Sequence, residues 1–462
     1  MNHDLHRLFL SQLAPDEILN DAAAIEPLLW DDRGRFYGAA DIVLQPRAVA
    51  SVQKILRLCH ENRIAVTPQG GNTGLCGAAT PAGGVLLLLH RLNHIGAVNH
   101  ADRCITVGAG AVLQQVQAAV RAENVFFPLS LASEGSCQIG GNLACNAGGI
   151  NVLRYGTARD LVLGLEVVLP DGSLISQLAP LHKNTTGLDI KQLFIGSEGT
   201  LGIITAATLK LFPAPHDTAT LWANCTDIAA CVRLLNVLRR HCGDRVKSFE
   251  MISAAALSVS LNDLQQTPPA GEVGAWQVLC DLENEAGCPP WQERLPEILL
   301  EHGFDDVLLA QNDSQRARWW QLREHIAAAQ KRRGVSLKHD IAMPIATVAD
   351  FVTACGQAVQ AAFPHAEIVL FGHLGDGSLH YNVFLPDLPD KRAYAHEDAL
   401  NQIVYRHVLE HRGTIAAEHG IGVMKREWLQ HVRTPAEIAI MRALKNHLDP
   451  HHIMNPGKVL PD

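Results

Sequence analysis

The chain lacks the features that would place it among secreted, membrane-spanning or nucleic-acid-binding proteins. Its eleven cysteines are odd in number and form no CxxC pair, so no disulfide framework is expected and a reducing compartment is indicated. Cys137, Cys145, Cys225 and Cys231 stand in apolar contexts, where a free thiol behaves as a small hydrophobe. No Lys/Arg run offers a stripe for tracking phosphates, and the formal charge of −9 argues against nucleic acid. An anionic small substrate is still allowed, because a site needs only one or two local cations. The longest apolar runs, such as VLLLL at Val85–Leu89, fall far short of the roughly 20 residues of a membrane span. The start, MNHDLHRLFLSQLAP, carries acid and has no long apolar core, so it does not read as a secretory signal. The reading is a cytoplasmic protein, with peripheral attachment at an inner membrane left open. Tandem repeats and low-complexity linkers are also absent.

What is present is an ordered globular composition, 47% hydrophobic and 18% charged over 462 residues, which is long enough for two domains and a further segment. In DIVLQPRAVASVQKILRLCHENRIAVTPQGGNTG, Val49, Val52, Ile55, Leu56 and Cys59 recur at helical spacing between two strand-like runs. CITVGAGAVLQQVQAAV repeats the strand–turn–helix order. LVLGLEVVLPDGSLI predicts a hairpin on a Pro-Asp-Gly turn, and LFIGSEGTLGIITAATLKLFP is strand-rich. Pro213 and Pro215 suggest a boundary. Beyond it, IAACVRLLNVLRRHC and PPWQERLPEILLEHG predict amphipathic helices separated by the strands AWQVLCDLE and DVLLA, suggesting an antiparallel sheet with helices on one face. The fold class is α+β. The expected segments are 1–37, a first domain over 38–215, a second α+β domain over 216–399, and a mostly helical C-terminal segment over 400–462.

Two stretches concentrate glycine: PQGGNTGLCGAAT and SEGSCQIGGNLACNAGG. Glycine permits positive φ and close approach of backbone N–H groups to a ligand, which suits a diphosphate. Neither is a Walker loop, since no Gly-Lys-Ser/Thr follows. GAGAVL at Gly108–Leu113 offers only part of GxGxxG, with Leu113 in place of the third glycine. A third stretch, GHLGDGSLHYNV, sets His373 and His380 around a glycine turn. If SLHYNVF is a strand, His380 and Asn382 share a face. A metal site, a catalytic base and a plain hairpin turn all remain open on these residues alone. His451 and His452 are adjacent, so their side chains do not easily converge.

PQGGNTG, GSCQIGGNLACNAGGINVLRYG, GLEVVLPDG, NTTGLDIKQLFIGSEGTLGIIT, GHLGDGSLHYNV, AEHGIG and NPGK stand in the order found in one flavoprotein family. From about residue 38 to its end, the chain resembles the FAD-dependent D-2-hydroxyacid dehydrogenases, which include D-2-hydroxyglutarate, D-lactate and glycolate dehydrogenases. The resemblance implies an FAD-binding domain of the vanillyl-alcohol oxidase and p-cresol methylhydroxylase type. It places the FAD diphosphate between Gly70, Gly71, Asn72, Thr73 and Gly74 on one side and Gly135, Ser136, Gly140, Gly141, Asn142 and Gly148 on the other. Ile203 is expected at the adenine and Asn455 near the flavin. The first loop lacks the histidine that often carries covalent flavin in relatives, so non-covalent FAD is expected.

The same resemblance carries metal-ligand roles onto His373, His380 and Glu418, with Zn2+ or a similar ion, and a general-base role onto His419. Two imidazoles and a carboxylate with open positions suit a catalytic zinc, which would activate the 2-hydroxyl while hydride passes to flavin N5. Arg323, Lys338 and Asn382 are the expected substrate residues. In hydroxyglutarate-oxidising relatives a hydroxyl-bearing residue follows the arginine by one helical turn; here that position is Ala327. The expected activity is oxidation of a small anionic D-2-hydroxyacid, D-2-hydroxyglutarate first, with D-lactate or another short hydroxyacid as alternative. A flavin-free zinc hydrolase using the same ligands is the alternative from another class. The electron acceptor (quinone, electron-transfer flavoprotein or cytochrome) and the oligomeric state, a homodimer among the options, are not legible.

Overall fold

The computed structural model describes residues 3–215, 217–284 and 287–461. Met1, Asn2, His216 and Asp462, at the ends of expected segments, lie outside the described residues. The chain divides into two compact units: Met1–Gly149, Gly156–Ala214 and Glu418–Asp462 in the first, Ile150–Tyr155 and Pro215–Ala417 in the second.

The first unit is built on two four-stranded sheets. In one, Ile42–Leu44, Val85–Leu88 and Val66–Gln69 run parallel, with Ile18–Leu19 antiparallel at the edge. Parallel strands of one sheet need a crossover, and the helix Val49–Asn62 carries the chain from Ile42–Leu44 to Val66–Gln69, on either side of Val85–Leu88. The sequence periodicity holds there: Val52, Ile55, Leu56 and Cys59 are fully buried against Ile42, Leu44, Val66 and Leu87. Each such aliphatic side chain contributes about 1.5–3 kcal/mol by leaving water. The helix ends where Arg63 turns left-handed at φ 53°. The other sheet is antiparallel, in the order Cys104–Gly108, Ile203–Lys210, Val162–Val168, Leu174–Gln177, and its last two strands form the expected hairpin.

The second unit is a seven-stranded antiparallel sheet. Its order is Val307–Leu309, Thr218–Cys225, Trp276–Glu283, Val246–Ser253, Glu367–Gly372, Ser378–Phe384, Ser336–Ala342. Helices on only one face would leave alternate residues wet. Instead, consecutive residues from Ser248 to Ser253 are all buried, so both faces are covered. On one face, Ala256 and Leu257 of the helix Ala254–Leu264 pack with Trp319, Trp320 and Leu322 of Asp313–Glu324 and with Ile326 of Ile326–Arg333, over Ile252, Val369 and Phe371.

The boundary near the C-terminus falls at Ala417–Glu418 and not at residue 400. The helix Glu397–Glu410 buries Leu400, Val404, Tyr405 and Val408 within the second unit. The last segment returns to the first unit, where Val66 takes a parallel bridge to Met454. Lys445, in the helix Pro435–Leu448, is the clamp for this return. Its ammonium donates to Thr200 O, Met454 O and Asp449 Oδ2 at 2.6–2.8 Å, while Asp449 accepts the Ile453 and Met454 amides. Asp449 is fully buried. Removing one partner of a buried pair strands the other charge, so Lys445→Ala should cost about 3–5 kcal/mol in denaturant unfolding. A cost below about 1 kcal/mol, the range of an exposed pair, would show that the clamp does not carry this segment.

Candidate active site

In the first unit the two glycine stretches meet. The strand Val66–Gln69 delivers the loop Gly70–Gly74, and the short helix Ile139–Ala144 lies within the second stretch. A Cβ on Gly71 would lie 2.2 Å from Ser136 O, so the two backbones touch in a way no other residue permits. Asn72 adopts φ 53°, a left-handed conformation asparagine tolerates, and its amide donates to Trp30 O. By contrast, Gly74 and Gly141 face open space, and Gly135 meets only Gln114 Oε1 at 3.7 Å. Asn142 is buried and reaches Cys137 Sγ, while Gly148 is buried in the loop beyond the helix. Ile203 is packed into the core with Val52 and Val168, so its side chain is used for packing.

Glu198, which the sequence reading passed over, gathers three of the motifs. It stands in SEGT with φ 51°, and its buried carboxylate accepts the amides of Ile421 and Gly422 from AEHGIG at 2.6 and 2.8 Å. Its backbone oxygen accepts the Asn455 amide of NPGK at 2.7 Å. Burial pushes its carboxyl above the usual range, against the two amides and the charges of Lys425 and Lys458. These bonds also explain a local departure from expectation. VMKREWLQ reads as one helix, but forms only the turn Arg426–Trp428 and the short helix Leu429–Val432. Ile421 and Gly422 direct their amides to Glu198, Val423 donates to Cys76 O, and Gly422 is left-handed at φ 55°. Glu418 and His419 open this segment, with His419 Nε2 3.6 Å from the Glu418 carboxylate.

In the second unit the expected residues sit in rows across the sheet. Strand pairing aligns Ile252, Phe371, His380 and Asp340, and in the next row Val369, Asn382 and Lys338. Alternation places both rows on one face. His380 lies against the Phe371 ring, with centroids 4.9 Å apart. The turn His373–Gly377 brings the His373 ring to 5.8 Å from that of His380. Gly377 permits this fold-back at φ 82°, where a Cβ would stand 2.1 Å from Met343 O. Asn382 donates to Gln330 Oε1 at 2.9 Å.

Glu250 organises the inner end of this face, and no local motif announces it. It lies on Val246–Ser253 two residues before Ile252, fully buried. One carboxylate oxygen accepts Arg323 Nε at 2.6 Å; the other contacts His373 Nδ1 at 2.5 Å. Burial raises the carboxyl pKa, but the Arg323 guanidinium and His373 outweigh it and hold the group at about 2. Arg323 is 7% exposed and stacks on Phe371 at 4.7 Å. Its helix is fastened along one stripe, because Arg316 and Trp320 both donate to Asp281. That helix stops at Glu324, and Ala327 belongs to the next one, Ile326–Arg333. Asp340 is a third residue, after Glu198 and Glu250, that sequence reasoning missed. Its signal was the alternation Lys338, Asp340 on a strand paired with His380 and Asn382.

Residues 40–177 match the family of FAD binding domains, and residues 214–459 match the C-terminal domain of FAD-linked oxidases. The chain belongs to the FAD-linked oxidase family. It is an FAD-dependent oxidoreductase, and the flavin-free hydrolase reading falls with that match. Among curated relatives, D-2-hydroxyglutarate dehydrogenase of Stutzerimonas stutzeri is 35% identical, covering 96% of each chain. The mitochondrial D-2-hydroxyglutarate dehydrogenase of Bos taurus is 36% identical over 98% of this chain and 82% of its own. Among solved structures, p-cresol methylhydroxylase superposes with a TM-score of 0.77 at 15% identity, covering 100% of this chain and 98% of its own. Alkyldihydroxyacetonephosphate synthase gives 0.76 at 16% identity, covering 99% and 86%. These likenesses show the fold. Among the described residues, no helix is long and apolar enough to cross a membrane.

The first unit of this FAD-linked oxidase fits the cofactor its family implies. Gly71 locks the loops together, and Gly74 and Gly141 leave the space a diphosphate would fill. Forcing a methyl group against Ser136 O should cost about 1–3 kcal/mol. Gly71→Ala should therefore hold FAD about tenfold to a hundredfold more weakly, read as flavin retained per chain and as the Kd for added FAD. Full flavin content with an unchanged Kd would show that loop contact does not shape the cofactor site.

Proposed function

We propose that this chain oxidises a D-2-hydroxyacid, D-2-hydroxyglutarate above all, to the 2-oxoacid, using FAD and a zinc-like ion held by His373, His380 and Glu418. The observation that carries the reading is the single sheet face on which His380, Asn382, Lys338 and Asp340 stand together, with His373 and Arg323 at its inner end. Imidazoles and carboxylates form a donor set suited to zinc. The curated relatives named for D-2-hydroxyglutarate support the substrate. When bound, FAD supplies a two-electron acceptor and the ion a Lewis acid for the substrate hydroxyl.

The chain's own residues divide the remaining work. His419 takes the hydroxyl proton, a role for which imidazole is suited near neutrality. Lys338 and Arg323 supply positive charge for the carboxylates. Arg323 commits Nε to Glu250, and a guanidinium has five N–H donors in all, so its fork can meet a second carboxylate. Asn382, fixed by Gln330, orients substrate through its amide. Ala327 offers no hydroxyl to the distal carboxylate, and this is the specific ground for keeping D-lactate as the competing substrate.

Two experiments test this. His380→Ala should lose bound metal and turnover while remaining yellow, whereas His419→Ala should keep both metal and FAD and lose turnover. Metal retained in His380→Ala would contradict the ligand assignment. Arg323→Ala should lower kcat/KM for D-2-hydroxyglutarate at least about tenfold more than for D-lactate, since charge-assisted bonds contribute about 1.5–3 kcal/mol. Any loss of stability reaches both substrates alike, so the ratio is the readout. Equal losses would mean that Arg323 does not read the distal carboxylate.

A further inference from the structure

We infer that Glu250 is a positioning residue that joins the metal site to the substrate-tail site through one carboxylate. This rests on the proposed function and names a residue which that proposal does not need. Glu250 lies between His373 Nδ1 and Arg323 Nε, one oxygen to each, and is fully buried. Both neighbours present N–H donors to it. An ionised carboxylate can only accept, so its contact with Nδ1 favours the His373 tautomer with the proton on Nδ1, in which Nε2 is the nitrogen whose lone pair a cation would use. The bond to Nε does the equivalent for Arg323. It fixes the plane of the guanidinium over Phe371, so the fork points one way before substrate arrives.

The geometry also explains why a carboxylate is required. An amide has one accepting oxygen and one donating nitrogen. In Glu250→Gln, the amide oxygen can accept from only one of the two donors, and its NH2 group opposes the other unless His373 moves its proton from Nδ1 to Nε2, the nitrogen the cation needs. A residue of purely structural value would tolerate this nearly isosteric change with a loss of stability only. A positioning residue would transmit it to metal affinity and to substrate discrimination together.

The test uses the FAD-loaded full chain, stripped of metal with a chelator and titrated with Zn2+ alone against a chromophoric competitor. Glu250→Gln should bind zinc about 10–100-fold more weakly than wild type with its FAD content unchanged. Its KM for D-2-hydroxyglutarate should rise about tenfold more than its KM for D-lactate. Zinc affinity within about twofold of wild type, with equal KM changes, would overturn the role whatever happens to the melting temperature. His380→Ala, titrated in parallel, separates the layers. If it binds zinc like wild type, the metal reading falls and this inference with it. If it loses zinc while Glu250→Gln does not, only the role of Glu250 falls. Should Glu250→Gln fail to hold FAD, Glu250→Asp is the second variant. It keeps the charge but is one methylene too short to span both neighbours, so zinc binding about tenfold weaker is expected and unchanged binding overturns the proposal.

Discussion

The register of the strand Ser378–Phe384 between its two neighbours is the constraint on which the rest depends. Side chains alternate strictly along a strand, so a one-residue slip would carry His380 and Asn382 to the opposite face and bring Leu379 and Tyr381 in their place. The pairing with Glu367–Gly372 on one side and Ser336–Ala342 on the other holds that register over its length. Tyr381 and Val383, fully buried on the other face, add an apolar penalty to any slip. Hydrophobic burial and backbone pairing thus decide where the polar chemistry stands. The chemistry itself contributes little to the decision.

The same face illustrates how a buried charge is made tolerable. An isolated carboxylate at the depth of Glu250 would take up a proton, and burial does push it that way. Arg323 and His373 reverse the balance, and the group stays ionised well below neutrality. The arrangement is costly to break from either side, because each partner would leave the other stranded in an apolar surround. Lys445 and Asp449 repeat the principle in the first unit, there in the service of chain return rather than of the site.

Much of this was legible in the sequence where the signal is local. The spacing of Val52, Ile55, Leu56 and Cys59 announced their helix, the Pro-Asp-Gly turn announced its hairpin, and period-two alternation put His380 with Asn382. The long-range partners were not legible. Glu250 reads as one polar residue inside KSFEMIS, and its two partners lie 73 and 123 residues away. Glu198 looked like part of a glycine turn, yet its carboxylate holds Gly422, 224 residues on, just before the point where the expected helix would start. The break between Glu324 and Ile326 likewise carries no proline or glycine to mark it. Local pattern sets elements and faces. Which charges meet is settled by packing.

The central claim is that electrons leave a D-2-hydroxyacid for FAD only when the histidine-lined metal site is intact. Anaerobic stopped-flow measurement of flavin absorbance, with D-2-hydroxyglutarate mixed against metal-stripped and zinc-restored enzyme carrying equal FAD, tests it most directly. The account predicts that the flavin bleaches in the restored enzyme and stays oxidised in the stripped one. Bleaching at the same rate in both would contradict it, and would leave His373 and His380 as structural residues.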